Sequence, residues 1–369
     1  MNPKEQFCPN MGCSDRGKIG AGNITIHSQK ERRYYCKRCE RTFSATKGTA
    51  VYGLKKEANL FMVVIKLLVN GCPVQAIVAA FGLDERTVRE WFRRAGQQGQ
   101  QMHEYMMEQT TLDLGQVQAD EIKVKKQGGS VWMALAMMVS TRLWLGGAVS
   151  VQRDTALVRA LAGQVRQWAL CRPVLVAVDG FSAYLKAFRD AFRTPYKGDK
   201  GGRPRLYVWE EVAIVQVIKR RVQGGLTIER RITQGGAALV QRLLVLSQHG
   251  GVINTAFIER LNATFRQRLA CLVRRGRALA RQVETLHAGM YLLGCVYNFC
   301  THHHSLRLPL WITERRLHWV QRTPAMAAGL TDHLWSIEEL LLFKPPISPF
   351  VSPKPRGRPP KQALARAVA

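Results

Sequence analysis

Residues 174–180 read Val174-Leu175-Val176-Ala177-Val178-Asp179-Gly180, five apolar residues followed by a carboxylate and a glycine. A short apolar run stopped by a turn signal is the mark of a strand buried on both faces, and such strands belong to sheets covered by helices. The flanking sequence agrees. Upstream, residues 117–124 alternate apolar and polar at period two, 131–139 and 145–151 are further apolar strands, and 156–169 carry helical spacing. Downstream comes a helix over 182–192, then a basic, glycine-rich stretch at 197–205 that reads as a surface loop or insertion. A strand over 212–218 and helices over 237–248, 255–275 and 281–300 follow. Three strands, helix, strand, helix, strand, helix is an α/β order with both faces of a sheet covered.

Two acidic residues sit where sheet-building alone would not put them. Asp120 lies in the middle of an alternating strand and Asp179 ends a fully apolar one. Two-metal phosphoryl transfer needs carboxylates from neighbouring strands and a following helix, which together hold two Mg²⁺ or Mn²⁺ about 3.5–4 Å apart. Glu259 is the third candidate: Ile258, Leu261, Phe265, Leu269 and Leu272 form the core stripe of its helix, with Glu259, Asn262 and Arg266 on the adjoining polar stripe. Arg266, Arg268, Arg274, Arg275 and Arg277 continue a basic track suited to a DNA backbone. Plainer roles stand beside these: Asp179 as a turn residue, Asp120 as a surface position with Glu121 turned inward, and Glu259 as partner of a nearby Lys or Arg. Asp154 reads as a helix N-cap, Glu210, Glu211 and Glu229 fall in a loop or hairpin, and His302, His303 and His304 read as helix-terminal cations.

The chain has 369 residues with 55 Lys and Arg against 26 Asp and Glu, a net charge of +29. That balance disfavours an ordinary neutral metabolic enzyme and favours a polyanionic partner, in this size class nucleic acid. The length allows two or three domains. No run of about 18 uncharged apolar residues exists, and the N-terminus lacks the apolar stretch of a signal peptide, so a cytoplasmic, nucleoid-associated protein with no membrane partner is expected. In that reducing compartment the nine cysteines read as ligands and core.

Cys8 and Cys13 are separated by four residues and Cys36 and Cys39 by two, a spacing that brings two knuckles to one tetrahedral Zn²⁺. A segment this short barely builds a core, so one structural zinc would supply most of its folding free energy. Cys72, Cys171, Cys271, Cys295 and Cys300 read as core. Val74, Ile77, Val78 and Phe81, then Val88, Trp91, Phe92 and Ala95, are two amphipathic helices separated by Gly82-Leu83 and the N-cap candidate Asp84, a helix-turn-helix pattern. Its second helix offers Arg86, Arg89, Arg93 and Arg94 to DNA, or simply a solvated basic face. Near the C-terminus, Lys354-Pro355-Arg356-Gly357-Arg358-Pro359 resembles an AT-hook, whose two arginines can enter a narrow minor groove. The expected layout is a zinc ribbon (1–50), a helix-turn-helix domain (55–97), an α/β catalytic domain (112–300), a C-terminal helical segment (301–344) and a disordered basic tail (345–369).

The order zinc ribbon, helix-turn-helix, Ala119-Asp120-Glu121, Val178-Asp179-Gly180-Phe181 and Phe257-Ile258-Glu259-Arg260-Leu261-Asn262 resembles the DDE transposases of bacterial insertion sequences, nearest the IS-one group. Tyr35-Cys36-Lys37-Arg38-Cys39 with Thr42-Phe43 is similar to that family's zinc knuckle, and Val283-Glu284-Thr285-Leu286-His287 also resembles it. The resemblance implies a ribonuclease-H-like core, a mixed sheet with flanking helices, in which Asp120, Asp179 and Glu259 bind two metal ions. It also implies a DNA transposase that binds the terminal repeats of its element, cleaves the strand and transfers it to target DNA, as a homodimer or higher oligomer on DNA. The alternative is a catalytically inactive, transposase-derived DNA-binding regulator.

Overall fold

The structure, a computed structural model, describes residues 1–170, 173–197, 203–222, 225–273, 279–280, 282–313 and 316–347. Cys171, Arg274, Arg275, Arg277 and the AT-hook-like motif with Arg356 and Arg358 lie outside the described residues. Among the described residues two compact units emerge: Met1–Gly48 with Lys344–Ile347, and Thr49–Phe343.

The first unit is a three-stranded antiparallel sheet, β1 (Ile24–Ser28), β2 (Arg33–Cys36) and β3 (Arg41–Ser44), in that order. Its core holds Ile24, Tyr34 and Phe43 with Cys8, Cys13 and Cys36, and the Tyr34 and Phe43 rings sit 5.7 Å apart. So small an apolar interior cannot offset the ordering entropy of some forty residues.

The second unit opens with α1 (Ala58–Val69), α2 (Val74–Phe81) and α3 (Glu85–Glu108). Gly82 ends α2 at φ +60°, where a side chain would be strained, and Asp84 caps α3 by accepting the Arg86 N–H at 2.7 Å. Next come β4 (Gly115–Lys126), β5 (Gly129–Met138), β6 (Trp144–Ser150), α4 (Thr155–Trp168), β7 (Val174–Val178) and α5 (Ser182–Ala191). A small hairpin, β8 (Arg193–Tyr196) with β9 (Arg205–Val208), precedes β10 (Val212–Val222), β11 (Gly225–Gln234), α6 (Ala237–Gln248), α7 (Ala256–Arg268) and α8 (Val283–Phe299).

Six strands form one mixed sheet in the order β11-β10-β7-β4-β5-β6. β4, β5 and β6 are an antiparallel meander, β7 runs parallel to β4, β10 parallel to β7, and β11 returns antiparallel. Alternate residues of β4 explain the layering: Val117 and Ala119 pack with α4 and α5, while Ile122 and Val124 pack with α7 and α8. Leu175 and Ala177 of β7 pack under α6. The all-apolar β7 is thus buried on both faces, as its sequence requires.

Four expectations change. The second helix of the helix-turn-helix pattern does not stop near residue 97. It runs on to Glu108, because Gly96 and Gly99 lie against Ala288 and Leu292 of α8, so close that a Cβ on Gly96 would stand 2.4 Å from the Ala288 carbonyl oxygen. These glycines allow two helix backbones to approach and do not end a helix. The helix over 255–275 ends at Arg268, with one 3₁₀ turn at Ala270–Leu272. Residues 301–344 are not a helical segment. They hold a hairpin, β12 (Leu308–Thr313) with β13 (Arg316–Val320), and two short helices, α9 (Pro324–Ala327) and α10 (Ile337–Leu342), Trp311, Ile312 and Thr313 being residue types that favour strands. His303 is not a helix-terminal cation: its ring packs 4.6 Å from that of Tyr297, and burial with nearby Arg142 and Arg268 brings its pKa down to about 4. Among the described residues no helix is long and apolar enough to cross a membrane.

Candidate functional site

The parallel register of β4 and β7 builds the site. Gln118 pairs with Ala177, and two residues further on Asp120 and Asp179 emerge side by side on the face that carries α6 and α7. β7 ends there, so Asp179 leaves the sheet and its Oδ1 accepts the N–H of Phe181 at 2.9 Å, a turn that starts α5. Glu121 points to the opposite face. Its side chain is 4% exposed, and oxygens of Asp120, Glu121 and Asp179 still lie within 4.8 Å of one another.

α7 is brought to these carboxylates from β4 itself. Gln118 Oε1 accepts the backbone N–H groups of Phe257 and Ile258, both at 3.0 Å, and its Nε2 donates to the Asn254 carbonyl at 2.8 Å. A strand residue thereby satisfies two of the orphan donors at the helix N-terminus. The first turn of α7 presents Glu259, and the next turn presents Asn262, whose Nδ2 donates to Asp120 Oδ2 at 2.8 Å. Asp120, Asp179 and Glu259 line one cleft of about 530 Å³ together with Arg153, Phe181, Lys219 and Thr255.

Cations meet the acids within it. Arg153, on the loop before α4, donates to both Glu121 and Asp179, the latter at 3.1 Å, and stacks its guanidinium 4.2 Å from the Phe181 ring centre. Lys219 of β10 donates to Glu259, which also accepts from the Thr255 hydroxyl at 2.6 Å. Glu259 therefore lines the same cleft as the two aspartates but falls outside their close group, and its nearest partner is the lysine that the plainer reading of the sequence anticipated. The carboxyls differ in electrostatics. Burial, reinforced by Glu121, Asp179 and Glu259, pushes Asp120 up to about 7. Burial also raises Glu121, while the hydroxyl of Tyr184 donates to it at 2.7 Å. Glu259 is lowered: burial acts upward, but Lys219 and Thr255 outweigh it.

Hard carboxylate oxygens at this spacing suit a divalent cation such as Mg²⁺ or Mn²⁺. The buried Asn262 Oδ1, which lacks a hydrogen-bond partner beside Asp120, adds an unsatisfied oxygen of the same chemistry. The donor set therefore fits a divalent metal.

In the first unit, the sulfurs of Cys8, Cys13, Cys36 and Cys39 all lie within 4.8 Å of one another, with Cys8 to Cys39 at 3.6 Å and Cys13 to Cys36 at 3.9 Å. Four thiolates around a tetrahedral Zn²⁺ at about 2.3 Å stand about 3.8 Å apart, so these residues can hold one zinc ion. The backbone supports the knuckles. Glu40 N–H donates to Cys36 O at 2.8 Å, Gly17 N–H to Cys8 O at 3.1 Å, and Glu40 adopts a positive φ of 54°.

The arginines expected to face DNA are distributed unevenly. Arg86 is exposed on the first turn of α3. Arg89 pairs with Glu85, and Arg93 makes a two-pronged pair with Glu90 at 2.8 and 2.6 Å. Arg94 is committed elsewhere: it donates to the carbonyls of Tyr52 and Ala50 at 2.7 and 3.4 Å, tying the segment before α1 to α3. Arg266 is half-buried on α7. Of the other cysteines, Cys295 is buried and Cys72, Cys271 and Cys300 are half-buried, consistent with packing.

Sequence reasoning named Asp120, Asp179, Glu259 and Asn262 but missed Gln118, Arg153, Tyr184 and Lys219. Gln118 carried a signal, since an amide inside a buried alternating strand needs a partner. No family model and no curated protein matches this chain.

Proposed function

We propose that this protein is a DNA transposase of the DDE type, in which Asp120, Asp179 and Glu259 are the metal-binding carboxylates of a ribonuclease-H-like core. The observation that carries the reading is the placement of Asp120 on β4 beside Asp179, just past the end of the parallel β7, in one cleft with Glu259 from the first turn of α7. A mixed sheet with helices on both faces and acids on one face of neighbouring strands is what such a core requires. Two Mg²⁺ ions held there would favour attack on a phosphodiester and stabilise the departing oxygen. The chain's own residues supply the rest. Gln118 orients α7, Asn262 fixes the carboxylate of Asp120, and Glu121 with Tyr184 anchors Arg153 at the cleft mouth.

The four-cysteine unit, as a zinc ribbon, and the α2–α3 pair, as a helix-turn-helix led by exposed Arg86, bind the terminal repeats. The net charge of +29 supplies attraction along the phosphate backbone. A protein of this kind works on DNA in the bacterial cytoplasm, as an oligomer that joins two element ends. The pairing of Glu259 with Lys219 favours a second reading, a regulator that binds DNA and has lost cleavage.

One experiment separates them: cleavage and joining of a duplex carrying the repeats that flank the gene, with Mg²⁺ or Mn²⁺, by wild type and Asp179→Asn. The transposase reading expects metal-dependent cleavage and joining by wild type, and their loss in Asp179→Asn with metal-free binding of the duplex intact. Binding without any cleavage by wild type would establish the regulator.

A further inference from the structure

Apart from the strand residue Asp120, each acidic arm that lines the cleft is held by a cation. Asp179 Oδ2 accepts from Arg153 at 3.1 Å, and Glu259 accepts from Lys219. The two cations are built differently. Arg153 is positioned: Glu121, 4% exposed and fixed by the Tyr184 hydroxyl, takes one side of its guanidinium, Phe181 lies 4.2 Å beneath it and Trp132 5.4 Å away. Its side chain is still 34% exposed, so the guanidinium faces the cleft as well as its anchor. Lys219 stands on β10 at 40% exposure, directly across from the first turn of α7.

A guanidinium presents a planar fork that matches a phosphate as well as a carboxylate, and an ammonium binds either as a point charge. Both cations therefore have a second partner of the same class whenever a nucleic-acid backbone enters the cleft. Asp179, which Arg153 holds, belongs to the close carboxylate group suited to a divalent ion, and Glu259, which Lys219 holds, lines the same cleft.

We propose that Arg153 and Lys219 are exchangeable counter-ions of the cleft: a DNA phosphate draws the two cations away from Asp179 and Glu259, and divalent ions take the carboxylates so released. This rests on the metal-site reading of the cleft and adds a rule for the order of loading. Metal binds tightly only to the DNA-bound protein, and by thermodynamic reciprocity metal tightens DNA binding to the same degree.

The test is calorimetric titration of the full chain with Mn²⁺ alone, comparing wild type with Arg153→Gln, Lys219→Gln, Arg153→Lys and Asp179→Asn. Each neutral glutamine variant is expected to bind Mn²⁺ at least fivefold more tightly than wild type, the factor that one unit charge exerts on another about 4 Å away in fully water-like surroundings and a floor for a divalent ion. Arg153→Lys, which keeps the charge, should stay within about twofold of wild type, and Asp179→Asn should lose binding. A merely structural role for Arg153 would weaken Mn²⁺ binding in Arg153→Gln instead, and that result would overturn the proposal. Lys219→Gln, at an exposed position, keeps the question open to measurement if Arg153→Gln folds poorly. Binding that disappears in Asp179→Asn but ignores both glutamine substitutions overturns the exchange and leaves the metal site standing. Absence of Mn²⁺ binding in wild type and in both glutamine variants overturns the metal site and the exchange with it. A second titration, with a short blunt duplex present, should show that DNA tightens Mn²⁺ binding more in wild type than in the Arg153→Gln/Lys219→Gln double variant. An equal gain in both would refute the exchange.

Discussion

Replacing Asp120 by asparagine should stabilise the folded protein above neutral pH and leave it almost unchanged in acid. Asp120 is raised from 3.8 to about 7, because burial and three neighbouring carboxyls disfavour its charge. Between those values the folded state binds more protons than the unfolded chain, so wild-type stability falls as pH rises from about 4 to about 7 and then levels off. Three pKa units correspond to about 4 kcal/mol, and solvent screening of the repulsion from Asp179 and Glu259 makes about 2–4 kcal/mol the expected range. Asparagine carries no charge to desolvate, and its side-chain oxygen can still accept from Asn262 Nδ2, the bond that Asp120 accepts at 2.8 Å. With an unfolding entropy of about 2.1 cal/mol/K per residue over the unit Thr49–Phe343, the gain at pH 8 is a rise in Tm of about 3–6 °C. Differential scanning calorimetry from pH 4 to pH 8 in the presence of a chelator measures it. A Tm difference that is the same at both ends of that range, or a variant less stable than wild type at pH 8, would refute the assignment of Asp120 as a half-buried carboxylate that resists ionisation.

Three other outcomes follow from the geometry. Gly96→Ala should destabilise the Thr49–Phe343 unit by about 2–4 kcal/mol, since its Cβ would stand 2.4 Å from a backbone oxygen of α8 that cannot step aside; urea unfolding reads this, and a loss under about 0.5 kcal/mol would contradict the close helix approach. The protein should carry one zinc per chain, and stripping it with a chelator should unfold Met1–Gly48 while the larger unit melts as before, seen by proteolysis and metal analysis. Finally, log affinity for duplex DNA should fall linearly with log salt by about 0.9 per phosphate contacted, and a nearly flat dependence would disprove a basic binding surface.

Local chemistry made much of this protein legible in advance. The run Val174–Val178 declared a doubly buried strand, Asp84 and Asp154 declared helix starts and each accepts the expected backbone N–H, and paired cysteines declared their own knuckles. The bound near residue 97 falls short because the length of α3 is set by a distant partner: Gly96 and Gly99 let α8 lie against it, and nothing within a few positions announces that contact. The span 301–344 reads as helical in sequence because a two-stranded hairpin such as β12–β13 is too short to leave a clear period-two pattern.

What one stretch of chain could establish alone was which residues had to be strand, helix or knuckle, and which acids sat where sheet-building gives no reason for them. Such facts depend on neighbours within a few positions. Only the tertiary structure decided that Asp120 meets Asp179, that Gln118 holds the end of α7, and that Arg153 and Lys219 stand against the acids of the cleft. Those pairings join residues tens to more than a hundred positions apart. They follow from the register of one parallel strand pair and the docking of one helix, and a shift of a single residue would turn Asp120 to the opposite face of the sheet.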